Sequence, residues 1–377
     1  MKEMLLSLCA ACFTLGIAAQ TKEVKFSLLE TTDVHGNYLP YNFITGEDGT
    51  GSMARVYTYV KQLRQTEGKD HVVLLDNGDI LQGQPIAYYY NYIDTKSPHL
   101  CSAVLNYMQY DAGTVGNHDV ETGHAVYDRW VKQCKFPMLG ANVIVTKNEK
   151  PYWKPYTIIE RQGVKIAVLG MITPGIPMWL PENLWSGLRF DDMLQVAQRY
   201  MPEMRKKADI VVGLFHSGVG KDKGTPIAAE NASVAVAENV PGFDIVFCGH
   251  DHRRANRRIV NTAGDSVWVL NPAAQAHAIA KADFTITLNG KKVVSKKVEG
   301  SLVDIDHLTP DADFMKTFAT QFEQGKKFTN DLVGKSQNTM ESVPAFFGPS
   351  AFIDFIHQMQ LQIGKAEVSF AAPLAMD

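Results

Sequence analysis

The chain has 377 residues, enough for two or three domains of roughly 150 residues, or one large domain with an appendage. Hydrophobic residues make up 45% and charged residues 20%, which supports a sizeable core and excludes global disorder. The net charge of −3 argues against a polynucleotide-coating protein, which would carry a basic excess. A small phosphorylated substrate stays open, because it needs positive charge only locally.

The chain begins with an apolar run, Met4 to Ala19, preceded by Lys2 and Glu3 and ending in small residues. It is shorter than the ~20 residues that span a bilayer. It reads as a secretory signal peptide over residues 1–19, cleaved after Ala19, giving an exported, periplasmic protein. The lipoprotein alternative would use Cys12, but Cys9 stands where a Leu is usual. Cys101, Cys134 and Cys248 are odd in number and widely spaced, so they read as small buried hydrophobes.

β-branched runs predict buried strands at Val24–Leu29, Val72–Leu75, Val164–Leu169, Ile210–Phe215 and Asp244–Phe247. Apolar spacing predicts helices over Ser52–Gln65, Gly123–Lys135 and Met193–Lys207. The alternation indicates an α/β core. From Trp268 to Val298 the pattern turns to strands, with Asn289-Gly290 as a hairpin turn. A helix capped by Thr309-Pro310 follows, with Phe314, Phe318 and Phe322 on one face, ending near Asn330 to Gly334. A domain boundary is expected there, separating residues 20–333 from 334–377. The last stretch reads as a helix over Pro349–Ile363, with Phe352, Phe355, Ile356, Met359 and Ile363 inward, then a strand over Glu367–Ala371. Some forty residues are too few for an independent core. They read as the truncated start of a second domain.

Five clusters each follow a predicted strand: Asp33-Val34-His35-Gly36, Gly78-Asp79, Gly116-Asn117-His118-Asp119, Phe215-His216-Ser217-Gly218 and Gly249-His250-Asp251-His252. Strand ends are where side chains converge without a core around them. Asp33 and His35 alternate, as do His250 and His252, so in extended segments each pair points one way. Asp79 can bridge two ions, and Asn117 offers a neutral oxygen. Mixed imidazole and carboxylate donors suit Zn, Mn, Fe, Co or Ni better than Ca. Any one cluster alone is more often a turn or a core histidine. Five in order, all at strand ends, predict one assembled two-metal site.

These clusters resemble the motifs of the calcineurin-like metallophosphoesterases, within them the periplasmic 5′-nucleotidase and 2′,3′-cyclic-nucleotide 2′-phosphodiesterase branch, over about residues 24 to 333. The resemblance implies a four-layer α/β/β/α sandwich with a fragment of a second α/β domain. It implies two divalent ions, one on Asp33, His35, Asp79 and His252, the other on Asp79, Asn117, His216 and His250. It implies that His118 meets the phosphate and the leaving oxygen, as part of an in-line attack by hydroxide. The carboxylate that orients this histidine is an Asp in the family; here the matching place is Glu121. Asp119 could not substitute without a different turn.

Other patterns carry less. Cys248 and Arg254 have the spacing of a cysteine phosphatase, but Phe247 and Ala255 flank them where His and Ser/Thr are usual. Gly213 to Gly218 has phosphate-loop glycines without the Lys-Ser/Thr. Tyr88-Tyr89-Tyr90 could stack a base, though core packing is the simpler role. Arg253-Arg254 and Arg257-Arg258 read as a solvated face. His71, His99, His124, His277, His307 and His357 carry no ligand pattern. The segment Ser369-Phe370-Ala371-Ala372-Pro373-Leu374 looks like the cyclic-phosphodiesterase branch, which favours 2′,3′-cyclic and 3′-nucleotides. A 5′-nucleotidase or UDP-sugar hydrolase, a thiosulfohydrolase or sugar phosphatase, and a non-catalytic metal-binding surface module are the alternatives. No stable membrane insertion and no nucleic-acid polymer are expected.

Overall fold

The structure is a computed structural model that describes residues 21–221 and 229–373. The leader 1–19 and Leu374 lie outside the described residues. The chain divides into two compact units, Met1–Thr329 and Asn330–Asp377.

Two six-stranded sheets form the first unit. In the first sheet, β1 (Thr21–Thr31), β2 (Val72–Asp76), β3 (Ala112–Thr114) and β4 (Met138–Leu139) run parallel. The second sheet contains β5 (Tyr156–Arg161), β6 (Val164–Ile172), β7 (Ile210–His216), β8 (Ile245–Cys248), β9 (Ala255–Val260) and β10 (Ser266–Asn271). Here β6, β7, β8 and β10 are parallel. A long hairpin, β11 (Ala278–Asn289) and β12 (Lys292–Asp304), returns to the first sheet and pairs antiparallel with β1. The sheet orders are β12-β11-β1-β2-β3-β4 and β9-β10-β8-β7-β6-β5.

Strand periodicity then dictates the layering. Phe26, Leu28, Val73 and Leu75 face Ile166, Val168, Val212, Leu214 and Phe247 in a core between the sheets. Leu29 and Leu74 point the other way, onto helices that include α1 (Met53–Glu67) and α2 (Leu100–Met108). Ala167, Leu169, Val211 and Val246 cover α3 (Met193–Lys207) and α4 (Ser233–Asn239). The result is helices, sheet, sheet, helices. Each fully buried aliphatic side chain in these cores contributes about 1.5–3 kcal/mol relative to exposure. Cys101 and Cys248 are buried and unpaired by disulfides.

Three expectations about the C-terminal stretch are corrected. Asp311, not Thr309-Pro310, caps the helix Ala312–Thr317, its carboxylate accepting from Phe314 N at 2.9 Å. The chain turns at Phe318 and resumes as the helix Ala319–Asn330. In the second unit the helix spans Ala351–Gly364 and is capped by Ser350. None of its residues is buried, and Phe355 and Ile363 are 47% and 73% exposed. An apolar stripe turns inward only against an opposing layer, and sequence spacing cannot supply one. Residues Glu367–Ala371 form no strand. A strand without a partner leaves its backbone groups to water. Among the described residues no helix is long and apolar enough to cross a membrane.

Candidate metal centre

The parallel strands deliver their carboxyl ends to one rim, and the five clusters sit there. Asp33 and His35 follow β1, Asp79 follows β2, and Asn117 and His118 follow β3. His216 ends β7, while His250 and His252 follow β8. Among the described residues two donor groups form: Asp33, His35 and His252, and Asp79, His216 and His250. Within each group the donor atoms lie within 4.8 Å of one another.

The extended D-x-H and H-x-H segments are not found. Asp33 and His35 both have φ of 49°, Asp79 has 53°, and His250 and His252 have 76° and 53°. These left-handed kinks cost of order 1–3 kcal/mol each for non-glycine residues. They turn successive side chains toward a common point that extended backbone would miss. Cross-loop bonds hold them: Asp33 N donates to Gly78 O at 2.9 Å and His35 N to Asp79 O at 3.0 Å. Two glycines permit this approach. A Cβ at Gly116 would lie 2.1 Å from Asp79 Oδ1, and one at Gly78, φ +84°, would lie 2.4 Å from Gly116 N.

The outer partners of the imidazoles set their tautomers. His35 Nδ1 faces Gln82 O and Gln82 Oε1, both acceptors at 3.1 Å, so it carries the hydrogen. His216 Nδ1 donates to Asn77 O at 2.6 Å. His250 Nε2 faces Glu230 Oε1 at 3.0 Å. With the outer nitrogens so engaged, the inner nitrogens of these rings become lone pairs whenever the rings are neutral, and can then hold a cation in place of a proton. His35 Nε2 sits 2.9 Å from His252 Nε2, and His252 Nε2 sits 3.3 Å from Asp33 Oδ1. His216 Nε2 and His250 Nδ1 lie 3.1 and 2.7 Å from Asn117 Oδ1. These nitrogens and oxygens converge on two points, each of which needs a shared proton or a cation between the donor atoms.

Asp79 sharpens this fit. Its Oδ1 accepts from His118 N at 2.7 Å. Its Oδ2 is buried without a properly directed hydrogen bond, although His216 Nε2 is 3.1 Å away. The electrostatics agree. Burial pulls the His216 imidazolium down, but Asp79 and Asp33 outweigh it and push the group up to about 10. Burial raises Asp79, but His216 and the other nearby imidazoles hold it well below the usual carboxylate range. The rim draws positive charge, and the donor set fits two divalent ions.

His118 belongs to neither group. Its Nδ1 meets Glu121 Oε2 at 2.5 Å, a bond that raises its pKa. Asp119, three residues after Gly116, does something else. Its Oδ2 accepts from Gly116 N and Asp79 N at 2.8 and 2.9 Å, and its Oδ1 from Ile80 N and Leu81 N, both at 2.9 Å. It clamps the Asp79 loop to the Asn117 loop. Asp119→Ala would leave four buried donors unpaired, at a cost of about 3 kcal/mol or more. For a unit this large the metal-free protein should melt about 5 °C or more lower; an unchanged midpoint by calorimetry would discard the clamp.

Sequence reading missed this clamp, and it missed Glu230, Gln82 and Asn77 as outer partners. It also missed Trp179, whose ring stacks on His250 at 5.5 Å. Asp119 stood inside a quoted cluster; Glu230 and Trp179 stand in no motif. The other patterns resolve simply. Cys248 packs in a core, where burial pushes its thiol up, and Arg254 pairs with Asp304 at 2.7 Å. Arg258 stacks over Trp268. His99 caps α2, and His277 pairs with Asp306.

A four-layer α/β sandwich with two imidazole–carboxylate donor groups at one rim defines a dinuclear metallohydrolase type of site. The chain belongs to the calcineurin-like phosphoesterase family, whose model matches residues 26–254. That family works with two divalent metals. The chain is 32% identical, over 95% of its length, to the 2′,3′-cyclic-nucleotide 2′-phosphodiesterase/3′-nucleotidase of Haemophilus influenzae, and it spans 58% of that relative. Its fold is similar to the calcineurin-like phosphoesterase YfkN from Bacillus subtilis, with TM-score 0.72 and 25% identity, covering 82% of this chain and 100% of that one. It is also similar in fold to a putative 5′-nucleotidase from Staphylococcus aureus, with TM-score 0.77 and 22% identity, covering 94% of this chain and 70% of that one.

Proposed function

We propose that the chain hydrolyses phosphate esters of nucleotides, with 2′,3′-cyclic nucleotides and 3′-nucleotides as its leading substrates. The single observation behind this reading is that two convergent donor groups lie beside a histidine that serves neither. A metal store has no use for His118, whereas an ester hydrolase needs a proton donor. The substrate class rests on the name of the Haemophilus relative and on the Ser369-Phe370-Ala371-Ala372-Pro373 stretch. We assign residues 20–333 to the catalytic domain and 334–377 to the start of a nucleotide-recognition domain. Residues 1–19 are assigned to export into the periplasm.

In this reading Asp33, His35, Asp79 and His252 hold one ion, and Asp79, Asn117, His216 and His250 the other. Such a pair supplies Lewis-acid relief of phosphoryl charge and a more acidic water. The chain's own residues do the rest. Gln82, Asn77 and Glu230 fix three imidazoles in one tautomer. Asp79 Oδ1 holds His118 by its backbone N–H, which places the ring at the rim. Glu121 takes the Nδ1 hydrogen, so Nε2 of the imidazolium faces outward. As the ester P–O bond breaks, the leaving alkoxide takes the Nε2 proton, and no covalent phosphoenzyme is required.

The test is metal analysis beside a panel of 2′,3′-cyclic, 3′- and 5′-nucleotides, a UDP-sugar and bis-p-nitrophenyl phosphate. Metal-loaded protein should cleave the cyclic and 3′-esters fastest, and chelated protein should be inert. A metal-loaded protein inert even toward bis-p-nitrophenyl phosphate would sink the proposal and leave a metal-binding module.

A further inference from the structure

Glu30 stands where the fold calls for an aliphatic side chain. It shares its strand face with Phe26 and Leu28, which β1 turns into the core between the sheets, and it is fully buried. A carboxyl there costs stability that a hydrophobe would add. It belongs to neither donor group, and the chemistry above leaves it unused. Burial pushes its pKa well above the usual carboxylate range, although a bond from Asn77 opposes this.

The two oxygens of Glu30 differ. Oε1 accepts from Asn77 Nδ2 at 3.1 Å, whereas Oε2 is buried with no hydrogen-bond partner among the described residues. The neighbouring buried acid, Asp76, is the contrast. Both its oxygens are engaged, one by Thr31 Oγ1 at 2.8 Å and one by Gly78 N at 3.2 Å, so it serves its own loop. The bond from Glu30 leads only to Asn77.

Asn77 follows β2 and joins the two sheets. Its N donates to Thr31 O on β1 at 2.8 Å, and its Oδ1 accepts from Thr114 Oγ1 on β3 at 2.9 Å. Its Nδ2 donates across to Phe215 O on β7 at 3.0 Å, and its own carbonyl oxygen takes the Nδ1 hydrogen of His216 at 2.6 Å. The two Nδ2 hydrogens thus have one acceptor each, Glu30 and Phe215 O. Without the carboxyl, one N–H is left unpaired where water does not reach, and Asn77 must turn to satisfy it. The carbonyl that aims His216 then turns as well. Asp79 has its own anchor, because its N donates to Asp119 Oδ2 at 2.9 Å.

We propose that Glu30 is a positioning residue: acting through Asn77, it aims His216 Nε2 at the ion assigned to Asn117, His216 and His250, and it leaves the other ion untouched. This inference rests on the metal-binding reading above and adds to it a determinant of metal affinity inside the core of the sandwich.

The experiment titrates Mn²⁺ into metal-free protein and counts the free ion by electron paramagnetic resonance, in the parent, in Glu30→Met and in Glu30→Gln. The parent should bind two ions. Glu30→Met keeps the bulk and loses the acceptor, so it should weaken one ion by about tenfold or more, as loss of an outer partner does, and leave the other within about twofold. Glu30→Gln keeps the acceptor, and both affinities should stay within about twofold of the parent. Equal weakening of both ions, no weakening in Glu30→Met, or the same loss in Glu30→Gln overturns the role. Hydrogen exchange at His216 Nδ1, followed by NMR of the metal-free protein with ¹⁵N-labelled imidazoles, reads the aim of the ring without metal. It should quicken by about tenfold or more in Glu30→Met and stay at the parent rate in Glu30→Gln. Should the parent bind no Mn²⁺, the metal reading fails and the exchange decides alone: faster exchange in Glu30→Met supports the positioning, and unchanged exchange overturns it. Glu30→Ala frees the same Asn77 hydrogen and takes the place of Glu30→Met if that variant does not fold.

Discussion

Asp79→Asn is expected to lower turnover by at least about 10³-fold, because on the assignment proposed above both ions would lose an anionic donor. The side chain keeps nearly the same shape, and its remaining oxygen can still accept from His118 N. What changes is charge and one oxygen. Asp79 Oδ2 is buried beside His216 Nε2, so an NH₂ group in its place removes the negative charge that draws cations to that point. Elemental analysis should show bound metal falling together with activity. The metal-free variant should fold, since the loop bonds through Gly78 O and Asp119 do not use the missing charge. A variant that kept both its metal and its turnover would remove Asp79 from the centre of the site.

His118→Ala should behave in the opposite way toward metal. Both donor groups stay intact, so metal content should match the parent. Turnover of 3′-nucleotides should fall by about 10²–10⁴-fold, the usual range for a lost general acid. Leaving-group chemistry separates this role from a structural one. A nucleoside alkoxide needs a proton as it departs, whereas p-nitrophenolate does not. The loss on bis-p-nitrophenyl phosphate should therefore be much smaller than on 3′-AMP. An equal loss on both substrates would mean that His118 acts by shaping the rim rather than by giving up a proton.

Much of this arrangement was legible from residue types. Buried parallel strands announce themselves as β-branched runs, and Val164 to Ile172 or Ile210 to His216 can be little else. The five polar clusters were readable because each interrupts such a run with groups a core would reject. Local conformation was not readable in the same way. Asp33-x-His35 suggests an extended segment, yet both residues are left-handed, since loop-to-loop bonds outweigh intrinsic preference. The roles of Asp119 and Glu121 follow from loop geometry: the shorter side chain turns inward to four backbone N–H groups and the longer one reaches His118. Glu230 lies far along the chain from His250 only in sequence, and no local signal marks it. The apolar stripe of Ala351–Gly364 shows the limit from the other side, because periodicity names a face without naming what meets it.

The placement of the donors has a mechanical consequence. Asp33, His35 and Asp79 hang from the first sheet, while His216, His250 and His252 hang from the second. Each group draws on both. An ion held in either would act as a rivet through the edge of the sandwich, tying together two layers that otherwise meet mainly through apolar side chains and a few hydrogen bonds such as His216 Nδ1 to Asn77 O. Such a link adds a directional tie to apolar packing that has no direction of its own, so the same cations would serve as fasteners for the architecture that assembles them.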